Sequence, residues 1–181
     1  MELKDWALII GIVAVILAGV VLFGGSIDLS QLQDHKAEVL VERLPQEIEG
    51  FELRESHARV DPIFDGEMYS SMVAFEPSAG GAFAGVLARV GAMLYRFKSP
   101  DHVEPALAIL SLGNTLSSFE LGGHRMFKYA DAVAGQVTVF WAQGASLVQI
   151  LAIGAGAAGA VELSAVEGAA LQVMKAVIAA Q

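Results

Sequence analysis

The segment Gly154-Ala155-Gly156-Ala157-Ala158-Gly159 has G-x-G-x-x-G spacing, which looks like a dinucleotide-binding turn. Between a strand and a helix, such glycines let a pyrophosphate reach the backbone at a helix amino terminus. The surroundings argue against that chemistry. Only 22 residues (181 − 159) follow Gly159, too few for the helix and second parallel strand of a βαβ unit. No Asp or Glu follows Glu167 to hold a ribose. The preceding run, 147–153, reads as half of a hairpin. A glycine-rich strand-to-helix loop is expected, with no cofactor.

Two further groups contain the right atoms for chemistry. His57, Asp61 and Asp65 recur every four residues, and on a helix they would share a face and could hold a metal. Pro62 and Gly66 oppose a helix there. Asp61, Asp65 and Glu67 could instead offer oxygens to calcium, but a solvated turn explains them as well, so no metal is expected. Ser70, Ser71, His102 and His124 hold the atoms of a Ser–His pair, yet no nucleophile-elbow pattern surrounds either serine. Arg125, Phe127, Lys128 and Tyr129 form a basic–aromatic strand. Alternation puts Phe127 and Tyr129 on one face, Met126 and Lys128 on the other. These readings leave no catalytic residue, and the chain is expected not to be an enzyme.

Composition removes other classes. The chain has no cysteine, which excludes disulfides, Cys-ligated zinc, iron–sulfur clusters and Cys nucleophiles. Its net charge of −9 argues against a nucleic-acid partner, because phosphate binding needs clustered Lys and Arg. Hydrophobic residues make up 55% and charged ones 17%, which excludes a disordered chain.

Those elements need a scaffold, and its first part is apolar. Residues 6–23 (18 residues) carry no charge, and Gly24 and Gly25 extend the run to 20. At about 1.5 Å per residue a helix of that length spans the roughly 30 Å hydrocarbon core. Glu2 and Asp5 beside Lys4 make a poor signal-peptide start, and no Ala-x-Ala site follows. The expectation is an uncleaved single-pass signal anchor over 1–25, with the large domain extracytoplasmic. Ala7, Gly11, Ala14 and Ala18 form a small-residue stripe that would let another membrane helix pack closely.

Residues 26–45 read as an amphipathic stalk helix ending at Pro45. Residues 46–181 read as an extramembrane domain. Strand-like runs are expected over 51–60, 67–75 and 83–97. Ser99-Pro100-Asp101 looks like a helix start. Gly122-Gly123 and Gly144-Ala145 mark two hairpin turns. A closing helix over 162–180 carries Leu163, Val166, Ala170, Val173 and Val177 on one stripe. The fold class expected is α+β: a single amino-terminal transmembrane helix, then a mainly antiparallel sheet with packed helices, ending in an amphipathic helix. The order of elements over 45–181 is similar to small domains of the Mog1/PsbP-like kind; no motif carries that likeness.

The last 52 residues (130–181) hold only four charges: Asp131, Glu162, Glu167 and Lys175. Interface cores are depleted in charge and enriched in aromatics. Phe140, Trp141, Val166 and Met174 are therefore candidates for a partner interface, with a central hairpin and inner helix as the alternative. Together these features suggest a membrane-anchored, non-catalytic accessory or assembly subunit that binds a protein partner, possible also as an oligomer. A pilin-like filament subunit and a membrane-anchored small-ligand-binding domain are the alternatives. No basic-Gly processing site precedes the apolar run, which weighs against a pilin.

Overall fold

The computed structural model describes residues 43–61, 68–111, 113–156 and 161–181. In chain order they form β1 (Phe51–Asp61), β2 (Met68–Pro77), β3 (Leu87–Arg96), a 3-10 turn (Pro100–His102), α1 (Val103–Leu110), β4 (Ser117–Leu121), β5 (His124–Asp131), β6 (Gln136–Gln143), β7 (Ser146–Gly154) and α2 (Leu163–Ala180). The seven strands make one sheet in the order β1-β2-β3-β7-β6-β5-β4, and every neighbouring pair is antiparallel.

Local chemistry sets the turns. Gly122 and Gly123 both adopt positive φ (61° and 79°), the backbone that a two-residue hairpin demands, and join β4 to β5. Gly144 (φ 56°) begins the turn from β6 to β7. Ser99 accepts a hydrogen bond from the Asp101 amide (3.3 Å), and Pro100 supplies a preset φ, so the 3-10 turn leading into α1 starts there.

Two meanders, β1–β3 and β4–β7, meet where β3 pairs with β7, placing Ala92 opposite Ile150 and Leu94 opposite Val148. Alternation then gives the sheet two faces. The first buries Val73, Phe75, Val90, Ala92, Leu94, Val137, Val139, Trp141, Val148, Ile150 and Ala152 against Val166, Ala169, Ala170, Val173, Met174 and Val177 of α2. The second face carries Phe127, Tyr129, Phe140 and Leu147, on which α1 packs Val103 and Ala106. An irregularity between Leu87 and Arg89 shifts the phase of β3. Leu87 is therefore buried and Ala88 exposed. The sheet's edges are guarded. β1 alternates charge through Glu52, Arg54 and Glu55, and β4 is five residues long.

The expected fold class is corrected by this architecture. The described residues are mostly one seven-stranded antiparallel sheet with two α-helices. They contain neither an amino-terminal transmembrane helix nor a layer of several packed helices, and their strands form one continuous sheet. The physical reason is the β3–β7 pairing. Its partners lie at least 50 positions apart in the chain, and no local pattern encodes it. The anchor expected over 1–25 and most of the stalk expected over 26–45 fall outside the described residues.

Candidate functional site

The glycines of the G-x-G-x-x-G run that the structure describes surround a side chain of this same chain. A methyl group on Gly154 would stand 2.1 Å from Val161 Cγ1, and one on Gly135 would stand 3.0 Å from Val161 Cγ2. The Gly154 amide donates to the Gly135 carbonyl (2.9 Å), fixing the β5–β6 turn beside the end of β7. A methyl group on Gly156, at φ 151°, would stand 3.6 Å from Val161 Cγ2. The hollow is thus filled by Val161, two residues before α2, and the glycines permit close packing. Both neighbours of β7 are antiparallel, so no crevice of a parallel doubly wound sheet opens here.

The metal-like spacing also dissolves. His57 and Asp61 lie on a strand, where four residues span about 13 Å, too far to share one ion. The exposed imidazole of His57 instead faces Glu55 at 3.5 Å. Asp65 and Glu67 fall outside the described residues, among which no group of three or more His, Asp or Glu could hold a metal.

Ser70 and Ser71, adjacent on β2, point to opposite faces. Ser71 is buried on the α2 side, and its hydroxyl has no hydrogen-bond partner. His124 tilts over Trp141 with ring centroids 5.0 Å apart. β2 and β5 are four strand spacings apart in the sheet, roughly 19 Å, so Ser71 and His124 do not meet. His102 ends the 3-10 turn.

The basic–aromatic strand alternates as expected. Phe127 and Tyr129 join the α1 side. Lys128 turns to the α2 side, where it pairs with Glu167 and lies 5.3 Å from the Phe119 ring centroid. Arg125 lies 5.3 Å from the Phe127 ring centroid. The Lys128–Glu167 pair ties β5 to α2, which uses one of the few charges of the carboxy-terminal third for structure.

Among the described residues, Tyr95 is the one whose ionisation clearly departs from the ordinary. Its hydroxyl donates to Gln149 Oε1 (3.0 Å), and burial pushes its pKa above the usual 10.0. The neutral phenol is favoured in the fold, so its contribution to stability is complete below pH 10. Above pH 10 the unfolded chain loses this proton first, and stability falls by up to about 1.4 kcal/mol per pH unit. Alkaline denaturation of wild type and Tyr95→Phe is expected to show a shallower decline in the variant. Equal slopes would contradict the buried, neutral phenol.

Phe140, Trp141, Val166 and Met174 lie inside the domain's own core, at 0%, 4%, 0% and 0% exposure. The charge-poor carboxy-terminal third thus supplies the central hairpin and the inner helix. By length and composition α2 could cross a membrane, with mean hydropathy 1.4, but here it lies along the sheet. Ala7, Gly11, Ala14 and Ala18 fall outside the described residues. Sequence reading passed over the exposed apolar residues. Val133 at the β5–β6 turn is 77% exposed, and Leu53 and Ile109 are each 40% exposed. The signal for Val133 was present as an uncharged Ala132-Val133-Ala134 between Asp131 and Gly135.

No family profile matches the chain, and no curated protein does. A solved structure, that of a GTP-binding regulator from Thermotoga maritima, is similar at 16% identity over 78% of this chain and 84% of that one, with a TM-score of 0.44. A likeness of that size carries no argument about this chain's function.

Proposed function

We propose that the chain is a membrane-attached, non-catalytic accessory or assembly subunit whose sheet domain binds a protein partner. The observation that carries the reading is the uncharged run over 6–23, long enough to cross a bilayer and joined to a folded domain. The domain's arrangement supports it. The glycine hollow is filled by Val161, Ser71 and His124 lie four strand spacings apart, and the histidine–aspartate spacing lies along a strand. On this reading the domain lies outside the cytoplasm, and the stripe of Ala7, Gly11, Ala14 and Ala18 packs on a helix of the complex. Extraction of the full chain in mild detergent tests the proposal, with identification of the proteins that co-purify. A stoichiometric partner is expected, and recovery of the chain alone as a monomer would contradict it.

A further inference from the structure

The second face of the sheet is covered on one side. α1 packs there over Phe127, Tyr129, Phe140 and Leu147, which stand on β5, β6 and β7. Toward β2 and β3 that layer stops: among the described residues α1 is the one helix on this face. By alternation with the buried Val73, Val90, Ala92, Ile150 and Ala152, the open half carries Met72, Ala74, Gly91, Met93, Leu151 and Ile153. All six are half-buried. Register sets Met72 beside Met93, and Ala74 beside Gly91, which in turn adjoins Leu151. A sheet face left in water carries polar residues at such positions. Here the charges stand at the margin: Glu55 and His57 on edge strand β1, Glu76 near the end of β2 and Arg89 near the start of β3.

Gly91 lowers the floor of this trough. Its φ is not positive, and among the described residues a methyl group there would meet only the Val73 carbonyl oxygen, at 3.9 Å. The domain's own packing therefore does not require a glycine here, unlike at Gly154. A strand glycine with free space above it suits close approach by another element. α1 forms a matching ridge. Seven of its eight residues are apolar, and Glu104 is its one charge. Val103 and Ala106 are buried on the sheet, while Pro105, Ala108 and Ile109, at i, i+3, i+4 spacing, are exposed together. A helix apolar all round is ordinarily a buried one.

We infer that a second copy of this chain docks face to face on this side of the sheet, with each α1 seated in the other copy's trough over β2 and β3. Ridge and trough lie side by side on one face, so a two-fold axis between the two sheets fits each ridge to the other trough. Ile109 of one copy then stands over Ala74 and Gly91 of the other. Size supports this occupant. Seven strands about 4.8 Å apart and about 27 Å long give a face of roughly 800 Å², which is what a standard-size interface takes from each partner. A single helix laid in the trough would cover half of that face and leave the α1 ridge in water. The inference goes beyond the proposed function and does not depend on membrane attachment.

The chain has no cysteine, so single cysteines test the contact directly. Full chain carrying Ile109→Cys and full chain carrying Gly91→Cys are mixed in mild detergent and treated with a short bismaleimide, and the covalent pairs are identified by mass spectrometry. Mixed chains are expected to cross-link at least about fivefold more than either chain alone, because the two-fold sets residue 109 against residue 91. Sedimentation of Ile109→Arg is the second readout, since Ile109 is 40% exposed within the domain and the substitution puts an unpaired charge into the contact. A dissociation constant at least about tenfold higher than wild type is expected, with unchanged circular dichroism. Cross-linking of mixed chains no greater than that of either alone overturns the inference. So does a two-copy particle whose dissociation Ile109→Arg leaves unmoved. A different protein cross-linked at both positions would also overturn it, while favouring the partner of the proposed function.

Discussion

Gly154→Ala is expected to destabilise the domain by about 1–3 kcal/mol or more, because the added methyl has nowhere to go. It would stand 2.1 Å from Val161 Cγ1, at a point where β7 is pinned to the β5–β6 turn by the Gly154–Gly135 hydrogen bond. Relief requires the valine to leave its hollow and carry the approach to α2 with it. Val161→Ala removes the clashing methyls, and by itself costs about 0.5–1.5 kcal/mol in lost packing. The double variant is therefore expected to be more stable than the sum of the two single losses, a coupling that urea unfolding of all four chains would measure. Additive losses, or a neutral Gly154→Ala, would contradict the packing role. A glycine run serving a phosphate would behave differently, losing ligand affinity while stability changed little.

Trp141→Ala is expected to cost about 3–5 kcal/mol of unfolding free energy, a large part of the 5–15 kcal/mol typical of a domain. The indole is 4% exposed, lies on the α2 side of the interior strand β6, and carries the His124 ring on its flank. The measurement distinguishes two roles that charge depletion left open. A core tryptophan lowers the stability of the chain whether or not a partner is present. A tryptophan whose work is in an interface would leave unfolding unchanged and weaken only the complex. Unchanged unfolding of Trp141→Ala would contradict its place in the core.

Much of the local structure is legible in the sequence, because turn chemistry is local. Gly122-Gly123 and Gly144 need positive φ, and both mark real hairpins. The spacing of Val166, Ala170, Val173 and Val177 marks the buried side of α2. What escapes is what distant residues decide. The β3–β7 pairing that makes one sheet of two meanders joins Ala92 to Ile150 across the chain. The shift between Leu87 and Arg89 exchanges a buried for an exposed residue without any mark in the composition.

The candidate sites show the same division. The context of the glycine run argued against a dinucleotide, but nothing local pointed to Val161 as the group that fills it. The scarcity of charge over 130–181 reads equally as interface or core. The sheet resolves it, because β6 and β7 are interior strands covered by α2 on one face and partly by α1 on the other. Among the described residues, the large apolar side chains left exposed are then Val133 at the β5–β6 turn, Leu53 and Ile109.

Mild-detergent extraction of the full chain, with the mass and composition of the native particle determined, tests the proposed role most directly. A particle containing the chain with a second membrane protein in fixed ratio is the expected result. A monodisperse particle holding the chain alone, with no partner at any detergent concentration that keeps the domain folded, would contradict it.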